Sequence, residues 1–330
     1  MRISFCKGTL GVAFLATAVL SQTTTLRPIE HEGRWGYIDN TGKTVISTQY
    51  EQVGPFRDGL ARVTIQGKQG FIDPKGNVVI KPEFEKVGDF QDNLASFERN
   101  GKFGFINKTG SVVVEPRYTE VRTFREGMAP VEVNGKWGYI DNSGKWVVEP
   151  TYYDAHPISD GLGRVRTSVD GPVIYINKSG KTVVETEFPN AGDFSAGLAP
   201  FEKDGKWGYI STTGKTVIEP RYTSATTFSD GFARVQVSGP TGTRYGFINK
   251  EGKTVINPTF TDARPFRDGR AAVKIEDKWG YIDDKGETVI KSQYMEAHDF
   301  EGDLTRVVDR EGRSVWIDKT GKTVWEPRKE

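Results

Sequence analysis

The chain has 330 residues, of which 36% are hydrophobic, 12% are aromatic and 38 are glycine. This composition is typical of a globular protein and excludes a disordered or membrane-spanning chain. Its 45 basic and 44 acidic residues give a formal net charge of +1. No run of five or more Lys or Arg occurs, so nothing points to a nucleic-acid partner.

The first element along the chain is an N-terminal segment without acidic residues. Its apolar run Thr9–Ser21 is too short to span a bilayer and is followed by small residues. This pattern predicts a signal peptide at 1–22, removed near Ala18 to Thr23, rather than a buried helix. Cys6 would leave with it, and the mature chain would have no cysteine, no disulfide and no membrane span. We therefore expect an exported protein, periplasmic or extracellular, in a bacterial envelope.

The rest of the chain, 26–327, consists of copies of one unit of about 34 residues. A glycine after an aromatic residue recurs at intervals of 34, at Gly36, Gly70, Gly104 and Gly138. Nine copies can be aligned, and Ile174 and Val315 replace the glycine in two of them. The units lie near 26–59, 60–93, 94–127, 128–161, 162–197, 198–231, 232–269, 270–303 and 304–327.

Each unit contains three segments with the features of β-strands. A first strand such as Leu60–Val63 leads into a second strand whose "WGYID" pattern alternates between two faces. Asp/Asn-x-x-Gly then predicts a tight turn, because Asp or Asn caps the backbone and Gly accepts a positive φ. A third strand such as Thr44–Ile46 follows and often ends at Glu-Pro, since proline cannot donate to a sheet.

Between units lies a segment with the pattern Tyr-x-x-Val-x-x-Phe-x-x-Gly, which we call the connector. Apolar residues three apart favour a single helical or 3₁₀-like turn. Asn93 and Asp303 occupy its glycine position in two copies, which indicates a positive φ there.

The two ends of the array are in phase. Leu26–Glu32 aligns with a first strand, and the chain ends just after a third strand, at Trp325 and Pro327. No strand is left over at one end to complete a unit at the other. This predicts an all-β, open, curved, solenoid-like array of nine three-stranded meanders. The alternative is a closed, propeller-like ring.

An aromatic residue usually precedes the repeated glycine. We interpret this position as packing between strands and units, with a ring over bare glycine backbone and the indole N–H bonded to backbone. The alternative is a row of exposed rings that stack on sugars. The packing residues are Trp35, Phe103, Trp137, Trp207, Tyr245 and Trp279.

These motifs resemble those of the WG-repeat proteins, also described by their Lys-Trp-Gly motif. The resemblance rests on "GKWGYID", the Asp/Asn-x-x-Gly turn, "TVIEP" and the connector followed by Leu-Ala. It covers about 26–327. It implies a bacterial, often exported protein with a binding or scaffolding role, and it supplies no catalytic residues.

Residues that depart from the repeat offer little chemistry. His156 and His298 share a tolerant position of the connector, and no established catalytic or metal-binding motif occurs, so we predict no catalytic residue, metal or cofactor. The unusual concentration of aromatic residues on and after the third strand of the fourth unit, with a histidine nearby, is the candidate binding patch. It comprises Trp146, Tyr152, Tyr153 and His156.

The sequence thus favours a non-catalytic exported repeat protein that presents a surface to a protein or envelope partner. A carbohydrate- or peptidoglycan-binding module with aromatic ladders is the alternative. An enzyme built on a propeller-like ring is a third hypothesis.

Overall fold

The computed structural model describes residues 25–240 and 242–327. The predicted signal peptide at 1–22 lies outside these residues. All regular elements in the described ranges are β-strands, which confirms the predicted class and the repeats. This part of the chain contains no helix of the length and apolarity needed to cross a membrane.

The strands fall into nine small antiparallel sheets that follow one another along the chain. The first strands are β1 (Arg27–His31), β5 (Ala61–Ile65), β8 (Leu94–Arg99), β12 (Met128–Val133), β16 (Leu162–Arg166), β19 (Leu198–Lys203), β23 (Ala233–Gly239), β27 (Ala271–Ile275) and β31 (Leu304–Val308). The second strands are β2 (Arg34–Ile38), β6 (Lys68–Ile72), β9 (Lys102–Asn107), β13 (Lys136–Asp141), β17 (Ile174–Asn177), β20 (Lys206–Ser211), β24 (Gly242–Ile248), β28 (Lys278–Ile282) and β32 (Ser314–Asp318). The third strands are β3 (Thr44–Tyr50), β7 (Val78–Phe84), β10 (Val112–Tyr118), β14 (Trp146–Tyr152), β18 (Thr182–Glu185), β21 (Thr216–Tyr222), β25 (Thr254–Phe260), β29 (Thr288–Tyr294) and β33 (Thr323–Trp325).

The connector adds a short fourth strand, which the sequence analysis missed. These strands are β4 (Gln52–Val53), β11 (Glu120–Val121), β15 (Asp154–Ala155), β22 (Ser224–Ala225), β26 (Asp262–Ala263) and β30 (Glu296–Ala297). In two further sheets a single bridge, such as that between Val87 and Phe97, takes its place. The predicted helical turn is therefore wrong. The spacing of three arises because Val53 pairs with Val63 in the first strand, whereas Phe56 turns back onto Tyr37 of the preceding sheet.

The nine sheets are the blades of a closed ring. The turn glycine of each blade lies against the third strand of the blade before it: a methyl group added to Gly76 would lie 3.5 Å from Ile46. Gly42 of blade 1 has the same relation to Val324 of blade 9. Ile29 and Ile38 also share a core cluster with strand β31 and with Trp316. The open array is therefore wrong, and the alternative, a propeller-like ring, is the fold: a nine-bladed β-propeller.

Among the described residues the ring closes with each sheet built from consecutive strands, and no strand from one end completes a blade at the other. The phase of the repeats does not fix the rotation between successive units. That rotation depends on how the blades pack, and over nine blades it adds up to a full circle.

The ring has two faces that differ in their regularity. We call one the turn face, because it carries the nine repeated turns, eight with Asp/Asn-x-x-Gly and one that begins at Ser211, which all have the same length. In the first of them the Asp39 carboxylate accepts the N–H groups of Thr41 and Lys43 at 2.8 and 3.1 Å, and Gly42 has φ of +83°. The opposite, hairpin face carries the loops between first and second strands. Its loops vary and are longer at Ser168–Gly171 and Ser238–Thr243.

The connector loops lie on the turn face. Asn93 has φ of +67° there, as expected. Near Asp303 the positive φ, +63°, falls on Gly302 instead.

The hydrophobic core lies between neighbouring blades. One such cluster joins Met128 and Tyr139 of blade 4 to Ala155 and Val165 of blade 5. The Tyr139 hydroxyl donates to the carbonyl of His156 in the next connector at 2.7 Å. Burial raises the pKa of Tyr139 well above its usual value, so the hydroxyl keeps its proton and remains a donor.

Candidate functional site

The repeated glycine is explained by the strand beside it. The third strand bulges opposite Gly138, between the pairs Trp137–Tyr152 and Tyr139–Val148. A methyl group on Gly138 would lie 2.4 Å from the Val148 carbonyl oxygen, so only glycine fits. Neighbouring backbone, rather than the aromatic ring alone, therefore requires the glycine.

In two blades Ile174 and Val315 replace the repeated glycine, and in both the bulge is missing at that position. At Ile174 the third strand pairs without a bulge, through Ile174–Glu185 and Tyr175–Val184. At Val315 of the last blade the pairing with the third strand starts only at Trp316–Trp325, and the bulge is again missing at that position. A side chain is tolerated where the bulge is absent.

The aromatic residues before the glycine lie at the interfaces between blades. Trp137 and Trp279 are 6% and 9% exposed, and the Arg122 guanidinium lies 4.6 Å from the ring centre of Trp137. The remaining members are half-buried: Trp35, Phe103, Trp207 and Tyr245. Among the described residues, no hydrogen-bond partner is found for the four indole N–H groups of this column, those of Trp35, Trp137, Trp207 and Trp279. The indole N–H that has one is that of Trp316, at the point where the ring closes.

The candidate patch is divided between two blade interfaces. Trp146 faces backwards and meets Tyr118 with ring centres 5.9 Å apart. Tyr152 packs forwards into the core next to Trp137. Tyr153 is 45% exposed, and His156 is half-buried. The structure therefore brings Tyr152, Tyr153 and His156 near one interface, and it places Trp146 at the other.

His156 belongs to a charged network that crosses three blades. Its ring contacts the Asp154 carboxylate at 3.0 Å and the Arg164 guanidinium at 2.8 Å. Arg122 also binds Asp154 at 2.8 Å, and Arg164 binds Asp193 at 2.7 Å. Burial and the two arginines lower the pKa of His156. Burial opposes ionisation of Asp154, but the charges of His156 and Arg122 outweigh it and lower the pKa of Asp154.

A similar arrangement recurs in the last blade, where Arg306 lies 3.1 Å from the His298 ring. Burial and the nearby Arg306 and Arg264 lower the pKa of His298. These groups connect neighbouring blades. Among the described residues, no cluster of three His, Cys, Asp or Glu side chains could hold a metal ion.

A feature that sequence reasoning missed is a set of exposed apolar side chains on the hairpin face. Most of the strongly exposed large apolar residues are valines of the third strands, on the perimeter of the ring, such as Val45, Val113 and Val217. The others all lie at hairpins or connector starts of blades 5 to 9. They are Tyr153, Val169, Val237, Ile275 and Met295. Tyr153 was already part of the candidate patch. The signal of the other four in the sequence was weak, because each is one apolar residue in a loop or near a strand end.

A second missed feature is the interface between blades 9 and 1, which we call the seam. The described residues contain nine first strands but eight connectors, and the seam is the interface without one. Trp316 Nε1 donates to the carbonyl of Pro28 across it at 3.1 Å. Arg27 is only 3% exposed, donates to the Glu301 carbonyl and forms an ion pair with the Glu301 carboxylate at 3.7 Å.

Fold and faces together define a β-propeller built from one repeated blade. A family model of WG-containing repeats matches eight segments of the chain, so the chain belongs to that family. The model matches 35–68, 70–103, 103–137, 137–168, 175–207, 207–239, 245–279 and 279–311. No functionally curated protein shows significant sequence similarity to the chain.

Several solved structures are similar to the chain, and one with a TM-score above 0.5 has a similar fold. The crystal structure of a eukaryotic initiation factor superimposes with a TM-score of 0.65 at 11% identity, over 93% of this chain and 96% of that one. BamB from Moraxella catarrhalis gives 0.45 at 17% identity, over 82% and 91%. Hsv2 from Kluyveromyces lactis gives 0.43 at 10% identity, over 70% and 92%. At these identities the likeness concerns the fold alone.

Proposed function

We propose that this protein is a non-catalytic, exported scaffold that binds a protein partner of the cell envelope through its hairpin face. The observation that carries the proposal is the position of the five exposed apolar side chains, which lie on the face whose loops vary. Binding residues of proteins concentrate on variable loops that a rigid frame holds in place, and exposed apolar side chains on such loops are available for a protein contact. The turn face, with nine equal turns, offers no comparable variation.

The alternative of a carbohydrate-binding aromatic ladder is less well supported. A ladder needs several rings with their faces open to solvent in a row. Trp137 and Trp279 are instead buried between blades, and Tyr153 is the one strongly exposed aromatic ring among the described residues. One isolated ring favours a protein contact over a glycan track.

Catalysis is also less well supported than binding. The charged side chains around His156 contact one another across neighbouring blades. A reaction requires unlike groups that converge on one cavity. We infer that the network holds blades together.

The export half of the proposal rests on the predicted signal peptide. It is tested by mass spectrometry of the protein recovered from envelope and cytoplasmic fractions. The proposal expects a new N-terminus between Ala18 and Thr23 in the envelope fraction. An intact Met1 in a purely cytoplasmic pool would contradict it.

The binding half is tested with a surface variant. We expect the triple variant Tyr153→Asp, Val169→Asp and Ile275→Asp to lose partners that the unmodified chain captures by cross-linking in envelope extracts. The matched control is Val45→Asp, Val113→Asp and Val217→Asp, which adds the same charge on the perimeter. Equal loss with both variants, or retention with the first, would contradict a hairpin-face site. Thermal melting checks that both variants fold.

A further inference from the structure

The seam lacks what a connector supplies at every other blade interface. At the hairpin-face end, a connector begins with an aromatic residue paired to the second strand, as Tyr50 is with Trp35. Its backbone then pairs with the first strand of the next blade: Glu51 N–H donates to Thr64 at 3.1 Å, and Gly54 N–H donates to Arg62 at 2.8 Å. At the turn-face end, its Phe packs on the preceding blade.

At the seam, the turn-face half of this arrangement is replaced by two enlarged side chains. The Pro28 carbonyl aligns with that of Arg62, and it accepts from the Trp316 indole instead of a connector N–H. Arg27 aligns with alanine, glycine or threonine of the other first strands. A methyl group at one aligned position, Gly163, would lie 2.9 Å from the connector residue in the Phe position. The Arg27 side chain is therefore directed into the space that a connector Phe would fill.

The hairpin-face half of the seam has no such replacement among the described residues. Glu30 aligns with Thr64, so its backbone should face the seam. Strand geometry agrees, because residues two apart direct their N–H and C=O groups to the same side, and Pro28 already directs its carbonyl across the seam. Glu30 is thus the position where β1 presents both a donor and an acceptor to a further strand.

A cavity of about 370 Å³ lies beside this edge. Its lining residues include three tryptophans, Trp35, Trp316 and Trp325, together with Ser314. Ser314 aligns with Trp35, whose cross-strand partner is the aromatic Tyr50. The cavity therefore lies where a ninth connector would begin, with an aromatic lining and an aromatic partner missing from the described residues.

We propose that the hairpin-face half of the seam binds an extended segment of a partner protein, which presents Tyr or Phe followed three residues later by Val or Ala. The segment pairs with the backbone of Glu30 and places its aromatic ring in the cavity between Trp316 and Trp325. Strand addition to an open sheet edge is a general mode of peptide recognition, in which backbone bonds give affinity and pockets give specificity.

The eight connectors of the chain itself define the chemistry of the occupant. Their first residues are Tyr50, Phe84, Tyr118, Tyr152, Phe188, Tyr222, Phe260 and Tyr294, and their fourth residues are Val53, Val87, Val121, Ala155, Ala191, Ala225, Ala263 and Ala297. Continued past the two ends of the array, the same alignment puts Ala16 and Lys329 at the aromatic position. Neither supplies an aromatic ring, which favours a partner as its source.

This inference goes beyond the scaffold function proposed above, because it needs none of the five exposed apolar side chains. The two can fail separately. The triple aspartate variant leaves the seam unchanged, and a seam variant leaves the five side chains unchanged.

The test uses the chain's own connector as a probe. A fluorescein-labelled, end-capped peptide with the sequence of Arg117–Phe124 is titrated into the full chain and into the chain that begins at Thr23, while anisotropy is followed. We expect saturable binding to the shorter chain, and at least tenfold weaker binding of the same peptide with Tyr118→Ala. Binding to the shorter chain alone also supports the site, because the shorter chain is the form left after the proposed removal of the signal peptide.

Two protein variants locate the binding. Glu30→Pro removes the N–H that should pair with the peptide, and Pro28, two residues earlier, shows that proline is compatible with this edge. We expect at least a tenfold loss with Glu30→Pro and none with Glu30→Ala. Amide exchange of Glu30 in the unmodified chain should slow when the peptide binds. No binding to either chain, equal binding to Glu30→Pro, or unchanged exchange at Glu30 would overturn the proposal.

Discussion

A regular blade interface and the seam both join two neighbouring blades, but different groups make the contacts. Between blades 4 and 5, the connector inserts a short strand, and the Tyr139 hydroxyl donates to its backbone. Between blades 9 and 1, the indole of Trp316 and the guanidinium of Arg27 cross the interface directly. Part of a connector can therefore be replaced by large side chains of strands that are already present in the blades.

The largest expected difference concerns the tryptophans. Trp137→Ala, in a regular interface, should lower the free energy of unfolding by about 3–5 kcal/mol, because it empties a buried site. Trp325→Ala at the seam should cost only about 1–2 kcal/mol, since that ring is half-exposed. Denaturant unfolding of both variants measures the difference. Equal losses would show that the seam is packed as tightly as a regular interface.

The next effect separates two kinds of glycine within one blade. Gly138→Ala drives a methyl group against the Val148 carbonyl and should cost about 3 kcal/mol. Gly135→Ala, in the adjacent hairpin, meets nothing within 4 Å and carries only the strain of φ at +74°, about 1–2 kcal/mol. The same assay compares the two. If Gly135→Ala proved the more harmful, the bulge would not be the reason for the repeated glycine.

A smaller effect addresses the seam itself. Arg27→Ala restores the residue type that most first strands carry at this position, yet it should cost about 2 kcal/mol, because it removes one charged hydrogen bond and one ion pair and leaves the connector space empty. Arg62→Ala, which removes a half-exposed ion pair with Asp89, serves as the control at about 0.5–1 kcal/mol. A neutral or stabilising Arg27→Ala would mean that Arg27 does not replace a connector.

The smallest expected effect is a pH dependence of the blade interfaces. Burial and neighbouring arginines lower the pKa of both His156 and His298. The unfolded chain therefore takes up protons that the folded chain resists, and the free energy of unfolding should fall as the pH drops below about 6.5. The double variant His156→Gln and His298→Gln should show a flatter profile between pH 7.5 and 5.5. An unchanged slope would assign the dependence to other groups.

Much of the local structure was predictable from the sequence. The turns that begin at Asp39 and its equivalents, and the strands around Ile38, follow from patterns that span a few residues. The short strand at Gln52–Val53 was not predictable, because its apolar spacing of three also matches a helical turn. Only pairing with Thr64 and Val63, in the next blade, distinguishes the two.

The candidate site was harder to predict from the sequence than the local structure. The sequence singled out Trp146 and Tyr152 as neighbours, and six residues apart they would share one face of a regular strand. The register shifts of the third strand turn them towards opposite blades, so the two rings lie at different interfaces. To recognise the exposed hairpin-face residues, one must know which loops share a face of the ring. To recognise the seam, one must know which blade interface lacks a connector. Both depend on the arrangement of all the blades, so the sequence of a single repeat does not show them.

The sequence by itself determined the blade: three of its strands, its turns and the close approach that requires glycine, because these depend on contacts within about 34 residues. Tertiary structure alone decided that the array closes and where its one unlike interface falls. A ring closes through the sum of small rotations between blades. Each rotation is set by side chains packed across an interface, such as Ile46 against Gly76, and the repeat of these residues along the chain does not reveal its size.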